Sequence, residues 1–216
     1  MAANTVIFDM DGTILDTLAD LCDSVNATLA HFGWPGRSLD EVRRFVGNGA
    51  AKLLERAVPP GTAPEETAAA LTWYRAWYDG HARIKTGPYP GIVALLERLR
   101  AEGVQLAVVS NKPDSAVGIL AQAYFPGLFA CAVGDREGLR PKPAPDAVRQ
   151  VMDALGAQAE TTVYVGDSDV DIATARAAGL PCVSVTWGFR DEAFLRDHGA
   201  QTLAHSPEAL YHILME

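Results

Sequence analysis

An α/β fold built on a doubly wound parallel sheet, with a helical segment inserted after the first strand, is what this chain of 216 residues predicts. Three observations predict it. From residue 92 onward, short runs rich in β-forming residues alternate with segments of helical spacing, and repeated β-α units imply a parallel sheet. Val6-Ile7-Phe8 is a short apolar run of the kind needed by a strand covered on both faces. Residues 18 to about 82 carry helical spacing and turn signals without any strand pattern. The expected organisation is a core of residues 1–17 and 83–216 and a helical cap of residues 18–82.

Each element follows from local signals. Leu18, Leu21, Cys22, Val25 and Leu29 recur at spacings of three and four, so residues 15–32 read as a helix that Gly33-Trp34-Pro35-Gly36 stops. Ser38-Leu39-Asp40-Glu41 is a capping box opening a short helix through Phe45. Gly47-Asn48-Gly49 interrupts, and residues 50–58 resume. Thr62-Ala63-Pro64-Glu65 offers a second capping box, with Pro64 in the first turn of a long helix to about His81. Beyond Thr86-Gly87-Pro88-Tyr89-Pro90-Gly91, helices are expected over 92–101, 113–124, 145–155, 168–178, 192–198 and 207–215. Strands are expected over 104–110, 129–134, 161–166, 182–186 and 201–204.

Composition narrows the function classes. Hydrophobic residues make up 49% of the chain, enough for a core and inconsistent with disorder. The formal net charge is −9 and no basic run interleaves with aromatics, so nucleic acid is not an expected partner. The acidic balance also argues against an anionic membrane surface, and no stretch is long enough to span a bilayer. Cys22, Cys131 and Cys182 lie far apart with no C-x-x-C, which suggests reduced thiols. With no basic leader before the first strand, the expected setting is the cytoplasm, and the expected state a monomer or homodimer.

Ligands of such sheets bind beyond the carboxyl ends of the strands, and those ends carry complementary chemistry here. The first strand ends in Asp9 and Asp11, which share a side because strand side chains alternate; Gly12 then permits a sharp turn. The strand at 104–110 ends in Ser110-Asn111-Lys112, a hydroxyl and an amide available to an anion. The strand at 161–166 runs into Gly166-Asp167-Ser168-Asp169-Val170-Asp171, with Asp171 one helical turn beyond Asp167. Prolines on both sides of Lys142 limit where it projects. Each piece alone has a plainer reading: Ser110, Asn111 and Asp167 as helix caps, Asp171 as a first-turn acid, Lys142 as a solvated loop residue. Parallel topology brings all of them to one edge.

Four carboxylates near one ammonium oppose their own ionisation, and a divalent cation relieves this. Oxygen ligands without histidine or thiolate favour Mg²⁺. Mg²⁺, a lysine, a hydroxyl and backbone amides together suit a phosphoryl group, with Asp9 as a nucleophile.

Asp9-Met10-Asp11-Gly12-Thr13, Ser110-Asn111-Lys112, Lys142-Pro143 and Gly166 to Asp171 resemble, in order and spacing, the four motifs of the haloacid dehalogenase superfamily. Val46-Gly47-Asn48-Gly49-Ala50, Pro88-Tyr89-Pro90-Gly91 and Ser110-Asn111-Lys112-Pro113 look most like its phosphoglycolate phosphatase branch. The resemblance implies a Rossmann-like core and a Mg²⁺-dependent phosphomonoester hydrolase acting through an aspartyl-phosphate on a small phosphorylated metabolite such as 2-phosphoglycolate. It implies that Asp9 attacks phosphorus and that Asp11 protonates the leaving alkoxide and then activates water. Asp9, the backbone carbonyl of Asp11, and Asp167 would hold the metal, with Asp171 supporting its waters and Lys142; Thr13 and Ser110 would contact phosphoryl oxygens, and Lys142 would neutralise charge. A dehalogenase lacks the second acid of the first motif, whereas Asp11 is present. A phosphosugar mutase or pyrophosphatase of the same superfamily stays open. A receiver-type phosphoacceptor module also has an acidic Mg²⁺ site, but it is shorter and has no helical insertion.

Selectivity is expected from the cap. Gly47, Asn48 and Gly49 open a helix whose backbone N–H groups suit an anion, and Arg43 and Lys52 flank this turn, so a substrate carboxylate is expected there.

Overall fold

The computed structural model describes residues 2–216. Strand β1 (Thr5–Phe8) is buried along its whole length, as its unbroken apolar run requires. The chain then makes a two-residue strand, β2 (Leu15–Asp16), and enters four helices: α1 (Leu18–His31), α2 (Leu39–Phe45), α3 (Gly49–Ala57) and α4 (Pro64–His81). It returns through β3 (Gly87–Pro88), which pairs antiparallel with β2. This small ribbon, unanticipated from the sequence, ties together the two strands that lead out to the helices and back.

Thereafter β and α alternate: α5 (Ile92–Ala101), β4 (Gln105–Pro113), α6 (Asp114–Tyr124), β5 (Cys131–Asp135), α7 (Asp146–Leu155), β6 (Thr162–Gly166), α8 (Asp169–Ala178), β7 (Cys182–Val185), α9 (Glu192–Asp197), β8 (Thr202–Ala204) and α10 (Pro207–Met215). Six strands form one parallel sheet in the order β5-β4-β1-β6-β7-β8. The chain's first strand thus lies between β4 and β6, and the carboxyl ends of these three strands adjoin. Apolar clusters cover both faces: Phe8, Leu96 and Leu106 belong to one, Ile7, Val148 and Tyr164 to the other.

The helical insert has a cluster of its own. Its buried members run from Leu18 to Ala82 and include Val25, Leu29, Leu54 and Tyr74; Phe189 packs against it from the remainder of the chain. Ser38 and Glu41 form the expected capping box. The second box does not form: Ala63 is the N-cap of α4, and the Thr62 hydroxyl instead donates to the Pro59 carbonyl at 2.8 Å. Thr62 stands one residue too early for the helix, which begins at Pro64. Strand β4 runs beyond the expected end at Ser110, because its pairing with β5 resumes at Pro113↔Asp135 after an irregularity. Among the described residues no helix is long and apolar enough to cross a membrane.

Candidate active site

The site grows from the ends of β1, β4 and β6. Asp9 directly follows the buried β1, and its Oδ1 accepts from the Met10 N–H at 2.7 Å and pairs with Lys142 Nζ at 2.9 Å. Lys142 reaches up from the loop before α7 and also meets Asp171 Oδ1 at 2.8 Å and the Tyr164 hydroxyl at 3.1 Å. Asn111 holds this loop: its Oδ1 accepts from the Lys142 N–H at 2.7 Å, and its Nδ2 donates to the Lys142 carbonyl at 3.1 Å. Its amide also donates to the Gly47 carbonyl at 3.2 Å, so Asn111 positions backbone rather than offering a free group to an anion.

Asp171 is fully buried and saturated. Its Oδ2 takes the Ser168 N–H and hydroxyl in a capping box at the start of α8, while Oδ1 takes Lys142 and Tyr164. Asp167 lies beside it, with Oδ2 accepting from the Phe189 N–H at 2.7 Å and Oδ1 accepting from the Thr13 hydroxyl at 3.3 Å. Thr13 is therefore spent on Asp167, is wholly buried, and does not line the cavity as a phosphoryl contact should. Gly12 stands at φ +80, and a Cβ there would collide with the Asp167 carboxylate, so both conformation and space demand glycine.

Burial pushes Asp9 up to about 7, with Asp171 and Asp11 adding to it and Lys142 opposing. Burial, followed by repulsion from Asp171 and Asp9, raises Asp167 well above the usual carboxylate range. Lys142 stays high because Asp171 and Asp9 outweigh its burial. One oxygen from each of Asp9, Asp167 and Asp171 lies within 4.8 Å of the others. This donor set is all hard oxygen, burial opposes ionisation of Asp9 and Asp167, and the set fits a divalent cation such as Mg²⁺. Each Asp171 oxygen already takes two donors, whereas each Asp167 oxygen takes one and Asp9 keeps Oδ2 unbonded among the described residues, so Asp9 and Asp167 are the carboxylates able to touch it.

Asp11 reaches the cavity with both oxygens on Lys112 Nζ, at 2.9 and 3.2 Å. Lys112 carries a spacing signal for this place, since residues two apart on a strand share a side and Ser110 is its neighbour by that rule. With Lys112 counted, four carboxylates face two ammonium groups, and the Arg190 guanidinium adds a third cation within electrostatic reach of Asp167, so the carboxylates still outnumber the cations.

The opposite wall comes from the insert. Leu53, Tyr74 and Tyr78 line the cavity with Gly47 and Gly49, and Tyr78 accepts from Lys112 Nζ at 2.6 Å. Gly49 comes so near the main chain at Asn111 that a Cβ would sit 3.2 Å from its carbonyl oxygen, at φ +81. The expected carboxylate contacts are not brought here. Arg43 pairs with Asp40 at 3.6 Å and Lys52 with Glu55 at 2.6 Å, both on the outside, while Asn48 accepts from Arg56. The phase of α3 explains this: Leu53 and Leu54 point inward, which turns Lys52 to solvent. Arg190, which no local pattern announced, lines the cavity and donates to the carbonyls of Arg43, Arg44 and Val46 at the end of α2.

A model of the haloacid dehalogenase-like hydrolases matches residues 6–185. Phosphoglycolate phosphatase 1 of Pseudomonas aeruginosa is 38% identical over 191 residues, covering 85% of this chain and 70% of that protein. The plasmid phosphoglycolate phosphatase of Cupriavidus necator is 34% identical over 214 residues, 97% of this chain and 92% of that protein. A crystal structure from Lactobacillus delbrueckii subsp. bulgaricus, provisionally described as a phosphoglycolate phosphatase, superposes with a TM-score of 0.95 at 36% identity and covers 100% of this chain and 99% of that one.

Proposed function

We propose that this chain, which belongs to the haloacid dehalogenase-like hydrolases and is a phosphatase, hydrolyses a small phosphomonoester through an aspartyl-phosphate on Asp9, with 2-phosphoglycolate as the substrate. The observation that carries this reading is the position of Asp9. It is a buried carboxylate at a strand end, oriented by Lys142 and the Met10 N–H, with a second acid two residues on.

In the first step an oxygen of Asp9 attacks phosphorus, the bond from phosphorus to the ester oxygen breaks, and Asp11 gives its proton to the leaving alkoxide. Ser110, buried within β4 and lining the cavity, donates to a phosphoryl oxygen, and Lys142 offsets charge beneath Asp9. In the second step Asp11 takes a proton from water, whose oxygen attacks phosphorus and releases phosphate and the Asp9 carboxylate. Mg²⁺ held by Asp9, Asp167 and the Asp11 carbonyl supplies neutralisation of phosphoryl charge when bound. The helices of residues 18–82 act as a cap that keeps bulk water from this chemistry. Support for 2-phosphoglycolate comes from the names of the relatives.

Rapid quenching of turnover with a labelled phosphomonoester tests the covalent step. The wild-type chain should carry label, and Asp9→Ala should carry none and lose turnover by on the order of 10³-fold or more. Chelation by EDTA should stop turnover and Mg²⁺ should restore it. An Asp9→Ala chain that keeps a tenth of its kcat, equivalent to only about 1.4 kcal/mol of barrier, sinks the mechanism.

A further inference from the structure

The carboxylates at the sheet edge are not held alike. Asp9 accepts from the Met10 N–H, Asp167 from the Phe189 N–H and Asp171 from the Ser168 N–H, so each of these is tied to main chain. Asp11 is the exception. Among the described residues its carboxylate takes no main-chain donor, and its two oxygens share one atom, Lys112 Nζ, at 2.9 and 3.2 Å. Lysine is a flexible four-carbon stem, and its ammonium fixes a carboxylate only if it is itself fixed. The third donor of Lys112 Nζ goes to the Tyr78 hydroxyl at 2.6 Å, which completes the three it has.

Tyr78 belongs to the opposite wall. It stands on α4, buried, with its ring stacked on that of Tyr74 at 5.5 Å and 7°, and both rings belong to the apolar cluster of the insert. Burial, with Asp11 and Asp20 adding to it, holds the Tyr78 phenol well above its usual range, so the oxygen that meets Lys112 is neutral. A carboxylate in that place would compete with Asp11 for the ammonium. A phenol anchors the nitrogen and leaves the charge to Asp11. Contact thus runs from the packed insert through one hydroxyl and one ammonium to the acid.

We propose that Lys112 and Tyr78 are positioning residues for Asp11: the ammonium aims the carboxylate, and the hydroxyl of the insert holds the ammonium. The role rests on the phosphatase reading, in which Asp11 gives a proton to the leaving oxygen and then takes one from water. Both transfers need the carboxylate within hydrogen-bond reach of the oxygen concerned, and a misplacement of about 1 Å costs on the order of 10²-fold. Attack by Asp9 on an ester whose leaving group needs no proton does not depend on that aim. One neutral side chain of the insert therefore acts on the proton transfers through Lys112, without touching substrate.

Rapid-quench kinetics at saturating ester in Mg²⁺, with p-nitrophenyl phosphate and 2-phosphoglycolate each labelled on phosphorus, separate the steps. Tyr78→Phe keeps the ring and deletes the hydroxyl. It should slow hydrolysis of the phosphoenzyme about ten-fold whichever ester formed it, and slow formation from 2-phosphoglycolate about ten-fold. Formation from p-nitrophenyl phosphate should change by no more than about two-fold, so this variant should give a larger burst of p-nitrophenol than the wild-type chain. A Tyr78 that only walls the cavity or touches the leaving group would leave hydrolysis at the wild-type rate, because the leaving group has gone by then, and that result overturns the role. Equal slowing of all three steps, the mark of general loosening, overturns it as well. Lys112→Met, close in length and uncharged, should show the same pattern at least as strongly; should that chain fail to fold, Tyr78→Phe decides alone. A wild-type chain that takes no label from either ester ends the covalent reading and the role with it. A labelled wild-type chain whose Tyr78→Phe variant hydrolyses its phosphoenzyme normally loses the role and keeps the reading.

Discussion

The sheet edge and the helical insert face each other across one cavity, and they treat charge in opposite ways. At the sheet edge charge is buried and paired: the Lys142 side chain is 3% exposed between Asp9 and Asp171, and the Lys112 side chain 2% exposed on Asp11. Near the cavity the insert turns Arg43 to Asp40 and Lys52 to Glu55, on its outer side, and presents phenols, leucine and main chain to the cavity. Buried ions repay their desolvation only when held in good geometry, and adjacent parallel strands supply that geometry permanently. The difference teaches that the buried ion pairs are pre-organised on the rigid element, while the insert contributes neutral groups to the other wall.

The largest break in this comparison should come from Lys142→Met. It leaves Asp9 and Asp171 buried without their cation, and losing one partner of a buried pair costs roughly 3–5 kcal/mol. Chemical denaturation should show a loss of that size together with loss of turnover; a chain as stable as the parent would mean that Lys142 is not the keystone of the floor. Arg190→Ala should act more mildly, because it removes three bonds to main-chain carbonyls at the contact between insert and core. KM should rise about three- to ten-fold with kcat nearly held, a loss of closure rather than of chemistry. A fall confined to kcat would instead assign Arg190 to the reacting centre. The smallest effect should be that of Lys52→Ala, since Lys52 pairs with Glu55 on the solvent side. Steady-state rates on 2-phosphoglycolate should stay within about two-fold; a larger drop in kcat/KM would restore the cap turn as an anion site.

By itself the sequence determined the kinds of element and their succession. Alternating patterns in residues 92–215 required β-α units, and the apolar run before Asp9 required a strand buried on both faces. Asp9, Asp11, Ser110 and Asp167 were legible as candidates because each stands at an expected strand end or the turn beyond, Asp171 because it lies one helical turn on, and Lys142 because prolines flank it. Tertiary structure alone decided what those ends adjoin, since the order β4-β1-β6 follows from crossovers and not from any local pattern. It also decided the partners: Lys112 meets Asp11 across 101 residues, Tyr78 meets Lys112 across 34, and Arg190 meets Arg43 across 147. Arg43 and Lys52 lie near the Gly47 turn in the chain yet away from the cavity, because helix phase and burial of Leu53 and Leu54 point them elsewhere. Local propensity acts over one turn or one strand, whereas a cavity is closed by side chains that only packing brings together.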